Sequence, residues 1–207
     1  GVEMVRALTV FGRDDAPHGH AEVALENVEL DESALVLGEG RGFEIAQARL
    51  GPGRIHHCMR AVGMAARCYD LMLERSLTRR TFGKLLWEHG MAQLAIAESK
   101  SDLECARLLT LNCAADIDER GARGARDSIA SIKVTVPELT GRVADRAVQV
   151  FGGAGVSDDF PLARILAGLR TLRIADGPDD VHRRTVAAVE AKKAVKRLGL
   201  TFERSRL

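Results

Sequence analysis

The pattern of apolar and polar positions changes after the first 36 residues of the chain. In this first stretch, Val23, Leu25, Val28 and Leu30 are spaced as in short strands, with a break near residues 26–27. The turn-rich segment RDDAPHGH precedes them and predicts a loop. Because two or three strands are only marginally stable alone, we expect them to belong to a larger sheet or to pack on helices.

From about residue 43 onward, apolar residues recur every three to four positions, which predicts amphipathic helices. In the first helix, Gly51-Pro52-Gly53 predicts a kink or a late helix start. The polar hinge ERGARGARD and the glycine-rich corner FGGAGVSDDFP separate later helices. We expect the helices after the first at about residues 88–118, 125–150, 161–172 and 179–196. The chain is therefore predicted to be mainly α, with an up-and-down four-helix bundle and a short N-terminal antiparallel β segment.

Charge and composition narrow the possible partners. Lys and Arg total 30 against 29 Asp and Glu, for a formal net charge of +1, which indicates neither a nucleic-acid partner nor an anionic membrane. No apolar run reaches the length of a membrane span, so none is expected. The four cysteines form no C-x-x-C pair and are predicted to be small buried residues in a reducing compartment, with no metal site. We expect a bacterial cytoplasmic location.

The segment RIADGPDDVHR places Asp176 at the end of an apolar stretch, directly before Gly177 and Pro178. Because Gly177 frees the backbone and Pro178 suits the first turn of a helix, we expect Asp176 in a tight corner between two helices. Three roles are open to its carboxylate. It could cap the following helix, pair with Arg173 or Arg183, or act as a general base.

Two further segments have both a functional and a structural interpretation. In RRTFG, Arg79 could contact a phosphate or ribose and Phe82 could stack on a ring, or the segment could simply end a helix. In QVFGGAG, Gly152 and Gly153 could let a ligand approach the backbone, or they could only supply positive φ to a loop.

The segment RLGPGRIHH contains one candidate cation and two histidines. Arg54 begins a helical stretch beside Gly-Pro-Gly and is predicted to be a fixed positive charge at the mouth of a cleft. His56 and His57 are adjacent, so they face different directions on a helix and cannot pair as ligands. We expect both to be partly exposed helix residues.

Four segments, taken in order, resemble the acyl-CoA dehydrogenase family of flavoproteins: VLGEGRGFEIAQARLGPGR, RRTFGKLLWEHG, QVFGGAG and RIADGPDDVHR. The segment IADGPDDVH most resembles the branch of the family whose members are fused to kinase-like or phosphatase-like domains in animals and are free-standing in bacteria. The family fold has an N-terminal helical domain, a middle β-domain and a C-terminal four-helix bundle. The resemblance thus implies that residues 1–36 end the middle β-domain and that residues 37–207 form the bundle domain, in a piece of a longer enzyme.

The resemblance implies FAD-dependent α,β-dehydrogenation of an acyl-CoA thioester, with loss of an α-proton and transfer of the β-hydride to the flavin. It places the catalytic base at Asp176, where most members have Glu, because Gly53 occupies the alternative base position beside the arginine. Arg54 matches the arginine that lines the substrate site. The implied FAD contacts are Arg79, Phe82, Gln149, Val150, Phe151, Gly152, Gly153, Pro178 and Asp180.

Two positions depart from the family pattern. Gly90 stands where a glutamine usually contacts the flavin, and Pro178-Asp179 stands where a Thr/Ser pair usually follows the base and its glycine. The shorter Asp at the base position favours a bulky or substituted acyl group as substrate.

The resemblance also implies partners. In the family, the Arg79 and Gln149 segments largely reach the FAD of a neighbouring subunit, so a homodimer or homotetramer is expected, as is electron-transfer flavoprotein or a similar acceptor. Two alternatives remain open. The protein could be a flavin oxidase of the same superfamily, or a non-catalytic pairing subunit that supplies half of a site to a full-length partner.

Overall fold

The structure is a computed structural model that describes residues 1–15 and 19–201. Residues 16–18, in the middle of the predicted turn RDDAPHGH, and residues 202–207, at the end of the predicted bundle domain, lie outside the described residues. The chain divides into two units, Gly1–Arg49 and Leu50–Leu207. The predicted domain boundary between residues 36 and 37 stays a prediction.

In the first unit, strand β1 (Val2–Leu8) pairs antiparallel with β2 (His20–Leu25). Val2 lies opposite Leu25, and the register shifts between Met4 and Arg6. The Arg6 Nε donates to Glu22 Oε2 at 2.7 Å across the pair, but both side chains are exposed, so this ion pair contributes little.

Helices form most of the described chain. They are α1 (Gly42–Thr78), α2 (Gly90–Gly124), α3 (Arg126–Phe151), α4 (Gly153–Val156), α5 (Leu162–Thr171) and α6 (Asp179–Leu198), with two short 3-10 turns at Glu32–Ala34 and Leu86–Glu88. A small hairpin, β3 (Arg80–Thr81) and β4 (Lys84–Leu85), links α1 to α2. The predicted mainly α class with a short N-terminal antiparallel β segment is therefore confirmed.

Helix α3 lies at the centre of the second unit. Its apolar residues recur at helical spacing on more than one face, so it packs against α2, α5 and α6 and shares one core with α1. Cys58 of α1 donates its Sγ–H to the Ile132 carbonyl of α3 at 3.5 Å, and burial raises the pKa of Cys58 to about 12. Cys68 and Cys113 are also buried, whereas the prediction of burial is wrong for Cys105, which is exposed.

Of two predicted breaks, the one in α1 is continuous helix and the one near residue 121 is a kink. Helix α1 runs through Pro52 from its start at residue 42, so the predicted late start is wrong. The hinge ERGARGARD is a kink at Gly121, whose φ of 68° and ψ of 163° lie inside α2. As predicted, α3 continues despite Pro137, which lacks the N–H that would bond the Lys133 carbonyl.

The link between α5 and α6 turns through left-handed backbone. Asp176 has a φ of 56° and Gly177 a φ of 104°. A Cβ at Gly177 would lie 2.8 Å from His182 Nε2, closer than real side chains approach. Two features therefore require glycine at 177: the positive φ and the adjacent ring.

We predict that Gly177→Ala destabilises the fold by about 1–3 kcal/mol, because it adds backbone strain and displaces the His182 ring. Gly63→Ala is the matched control, since Gly63 lies in the interior of α1 with open space around it. Helix propensity there favours alanine by about 0.5–1 kcal/mol. Thermal unfolding of the two variants, monitored by the circular dichroism of the helices, gives their midpoint temperatures. Equal midpoints for Gly177→Ala and Gly63→Ala would contradict this account of the corner.

Candidate active site

One face of α1 points toward the α5–α6 corner. Arg54 and His57 are three residues apart, so they lie on the same face of the helix. Both are partly buried in that position. His56 is rotated away and exposed, as predicted for both histidines. His57 is also a partly exposed helix residue, as predicted, and it makes a contact with Asp176 that was not predicted.

The backbone carbonyl of Asp176 is held by two donors from different helices. Arg54 Nε donates to it at 2.9 Å from α1, and His182 Nε2 donates at 3.2 Å from α6. His182 is buried, and burial lowers its pKa. These two bonds fix the peptide that follows Asp176 while its side chain projects from a strained left-handed position.

A buried lysine of α3 donates hydrogen bonds to the backbone of the same corner. Lys133 of α3 has 0% of its surface exposed, and its Nζ donates to the carbonyls of Leu172 and Gly177. Burial lowers the pKa of Lys133, while the negative charges of Asp179 and Asp176 act to raise it. A buried ammonium is costly unless its protons are bonded. The two carbonyls therefore make Lys133 and the corner mutually dependent.

The Asp176 carboxylate pairs with a histidine. His57 Nε2 lies 3.1 Å from Asp176 Oδ2, and the two side chains are 25% and 20% exposed. The second ring nitrogen, Nδ1, is 2.5 Å from a guanidinium nitrogen of Arg60. Burial lowers the pKa of His57, and the Arg60 and Lys133 charges lower it further, against the opposing effect of Asp176.

The two structural roles considered for Asp176 belong to its neighbours. Asp179, not Asp176, pairs with the arginines: its Oδ2 lies 2.8 Å from Arg173 Nε and 3.7 Å from the Arg183 guanidinium. The residue at the cap position of α6 is Pro178, which makes no side-chain cap bond. Asp176 is thus neither a helix cap nor part of an arginine pair within the described chain.

The RRTFG segment forms the tight β3–β4 hairpin. Its two turn residues, Phe82 and Gly83, both have positive φ, at 51° and 83°, as in type I′ turns. A phenylalanine in this conformation is unusual, and the Phe82 side chain is 97% exposed. Arg79 is exposed beside it. The hairpin presents an aromatic ring that is almost fully exposed, with the His89 ring 6.4 Å away, centroid to centroid.

The glycine-rich segment ends α3. Gly152 has a φ of 63° at the helix end, and Gly152 and Gly153 have open space on their Cβ side. The Phe151 ring instead packs edge-on against Phe160, with centroids 4.7 Å apart. Its predicted FAD contact can therefore come only from backbone. Of the other predicted contacts, Gln149, Pro178 and Asp180 are exposed and Val150 is half-buried.

These residues fall into two groups at opposite ends of the bundle. The Arg75 guanidinium lies 5.3 Å from the Phe151 ring centroid, so the ends of α1 and α3 meet, and the Arg79 and Gly152 segments share that end. Arg54 and Asp176 lie at the other end. The helix from Arg54 to Thr78 is about 36 Å long at 1.5 Å per residue. The structure therefore keeps the Arg79 and Gly152 segments away from this chain's own Asp176, whereas Pro178 and Asp180 lie beside it.

Sequence reasoning missed three residues at this corner, His57, Lys133 and His182, and the first two left a signal. His57 follows Arg54 by three residues, so the two share one face of the helix. Comparing His57 only with its neighbour His56 leaves this spacing unused. Lys133 stands between Ile132 and Val136, at an inward position of α3 where a lysine is unexpected. Within residues 1–15 and 19–201, no cluster of three or more histidine, cysteine or acidic side chains could hold a metal ion. No helix in those ranges is long and apolar enough to cross a membrane.

We predict that stability falls as the pH drops below about 6.5, the ordinary pKa of histidine. His57 and His182 both have lowered pKa values in the folded chain, so the unfolded chain binds more protons in this range. Their contribution is present above pH 6.5 and is lost as the pH falls through the folded pKa values. Urea unfolding at a series of pH values between 5 and 8 measures how the free energy of unfolding changes with pH.

The variant His57→Gln/His182→Gln removes both titrations, so its stability should vary less with pH over the same range. His56→Gln is the matched control, because His56 is exposed and should leave the slope unchanged. A double variant with the wild-type slope would show that other groups carry the pH dependence.

Comparison with known proteins identifies the family of this chain. The family model for the acyl-CoA dehydrogenase C-terminal domain matches residues 40–190. The chain is 52% identical over 199 residues to acyl-CoA dehydrogenase family member 11 of Rattus norvegicus, covering 96% of this chain and 26% of the rat protein. It therefore spans about a quarter of that relative.

Solved structures give the same result. A candidate acyl-CoA dehydrogenase from Mycobacterium abscessus superimposes with a TM-score of 0.90 at 43% identity, over 94% of this chain and 48% of that one. Butyryl-CoA dehydrogenase from Megasphaera elsdenii gives a TM-score of 0.81 at 26% identity, over 92% of this chain and 49% of that one. With the family model covering more than half of its length, the chain belongs to the acyl-CoA dehydrogenase family.

Proposed function

We propose that this chain is the C-terminal part of an FAD-dependent acyl-CoA dehydrogenase in which Asp176 is the catalytic base. One observation carries the proposal. Asp176 projects a largely buried carboxylate from a left-handed corner whose backbone is tied to three helices, by Arg54, Lys133 and His182. A base that must reach a carbon-bound proton needs this kind of fixed position.

The carboxylate has one oxygen available for proton transfer. His57 occupies Oδ2, whereas no described residue bonds Oδ1. The substrate acyl chain would lie so that its α-carbon faces Oδ1, and the α-proton would move to that atom. Because aspartate is one methylene shorter than glutamate, the acyl group must approach the corner closely, which supports a bulky or substituted chain.

The backbone at Asp176 can also stabilise the negative charge that develops on the thioester oxygen. Its N–H has no backbone acceptor in the described chain, since the nearby bonds start from Ala175 and Asp179. Arg54 adds a fixed positive charge on the same side, and burial lowers its pKa without discharging it. A donor and a cation placed beforehand in a partly dry site are the usual means of stabilising an enolate.

The Arg79 and Gly152 segments fit a nucleotide cofactor. Phe82 offers an uncovered ring, Arg79 a guanidinium and Gly152-Gly153 an open stretch of backbone, which are groups that bind an adenine, a phosphate and a pyrophosphate. When bound, FAD supplies the hydride acceptor for the β-carbon. Asp180 and Pro178, at the start of α6, are the proposed FAD contacts at the Asp176 end.

Because the two groups lie at opposite ends of one bundle, we propose that each complete site combines two copies of the chain. The Arg79 and Gly152 segments of one copy would hold the FAD that serves Asp176 of the other copy. The assembly would be a homodimer or homotetramer, and the reduced enzyme would pass electrons to electron-transfer flavoprotein or a similar acceptor.

Asp176→Asn in the full-length enzyme should slow flavin reduction by substrate about 10²- to 10⁴-fold while FAD stays bound. Asparagine tolerates the left-handed backbone and keeps the size of the side chain, but it cannot accept the proton. Anaerobic mixing with a panel of acyl-CoA thioesters, followed by the flavin absorbance, measures the rate. Asp70→Asn, on the exposed side of α1, is the control and should react like wild type. Unchanged reduction by Asp176→Asn would remove Asp176 as the base.

Mixed assemblies test the two-copy site. Subunits carrying Asp176→Asn and subunits carrying Phe82→Ala/Arg79→Ala should each be inactive alone. In a random one-to-one mixture, about half of the dimers are mixed and one of their two sites contains both intact groups, so activity should recover to about a quarter of wild type in the mixture and about half in isolated mixed dimers. Co-expression with two affinity tags isolates the mixed form. No recovery, in mixed assemblies that retain FAD, would contradict the exchange of residues between copies.

A further inference from the structure

We propose that His57 is a positioning residue for the base, donating from Nε2 to Asp176 Oδ2 so that Oδ1 is the oxygen that receives the substrate proton. This inference rests on the proposed function, since it assigns a role relative to Asp176. It is carried by two contacts of one imidazole ring, one at each nitrogen.

The two contacts fix which nitrogen bears the proton. The Arg60 guanidinium lies 2.5 Å from His57 Nδ1, and a guanidinium has donors only. His57 Nδ1 must therefore accept, which leaves the ring hydrogen on Nε2. That nitrogen is 3.1 Å from Asp176 Oδ2, so the ring donates to the carboxylate as a neutral imidazole. Burial lowers the pKa of His57, which keeps the ring in this form near neutral pH.

The surroundings of the carboxylate explain why a neutral donor is useful. Asp176 already faces the positive charges of Arg54 and Lys133, and the His182 ring bonds its carbonyl. A third cation would hold the carboxylate ionised and make it a weaker base. A neutral N–H orients the group and adds no charge. It also excludes Oδ2 from proton transfer, so the reacting oxygen is defined before substrate binds.

The geometry of amide side chains provides a matched set of variants. The amide nitrogen of glutamine can replace Nε2 of histidine, whereas that of asparagine reaches only the Nδ1 position. His57→Gln should therefore keep the limiting rate of flavin reduction within about threefold of wild type. His57→Asn and His57→Leu should lower it about tenfold, the effect of losing one hydrogen bond to a charged group. The KM for acyl-CoA should change by less than about twofold in all three, because the contact is made to the base.

The experiment uses the full-length enzyme with FAD bound. The rate of anaerobic flavin reduction by one acyl-CoA thioester is measured for each variant, and its flavin content and circular dichroism serve as controls for cofactor binding and folding. If His57→Asn and His57→Leu react like wild type, or if His57→Gln is as slow as they are, the positioning role is wrong. Asp176→Asn, run in parallel, separates this from failure of the proposed function. A base assignment that fails leaves Asp176→Asn active, whereas a positioning role that fails leaves Asp176→Asn inactive and the three His57 variants equal to one another in rate.

Discussion

The structure depends on how the carbonyl groups between α5 and α6 are satisfied. The link contains two consecutive positive φ angles, and its residues Leu172, Asp176 and Gly177 are partly buried. Lys133 bonds two of them, and Arg54 and His182 share a third. An unbonded buried carbonyl costs about 1–3 kcal/mol, so the corner and its donors form together. The result is a rigid bend assembled from α1, α3 and α6.

This constraint links stability to function. Asp176 occupies a conformation that aspartate adopts rarely, and the surrounding bonds hold it there. The buried ammonium of Lys133 is unfavourable for the fold by itself, yet it supports the one loop that carries the proposed base. At the far end of the bundle, Phe82 is fully exposed on a strained turn, which is unfavourable for an isolated chain. Both features are explained if the surface at each end is completed by cofactor, substrate or a second copy.

The parts that could be predicted from the sequence are those encoded locally. The spacing of apolar residues predicted α3, α5 and α6 to within two residues, and Asp-Gly-Pro predicted the corner. The helical pattern from about residue 43 predicted the start of α1, but the late start considered for Gly51-Pro52-Gly53 was wrong, because Pro52 removes only one hydrogen bond from a long helix. The His57–Asp176 pair and the role of Lys133 depend on contacts between residues 119 and 44 positions apart, which no local pattern encodes. The roles of the predicted FAD contacts stay predictions, because the Arg79 and Gly152 segments lie far from Asp176, while Pro178 and Asp180 are exposed at the start of α6.

The most direct test is an experimental structure of the full-length enzyme with FAD and a non-reactive acyl-CoA thioester bound. The account predicts that Asp176 Oδ1 lies within about 3–3.5 Å of the α-carbon, with His57 on Oδ2 and the flavin across the acyl chain. It also predicts that Phe82 of a second copy contacts that FAD. A structure in which the Asp176 carboxylate turns away from the thioester, while another carboxylate faces the α-carbon, would contradict it.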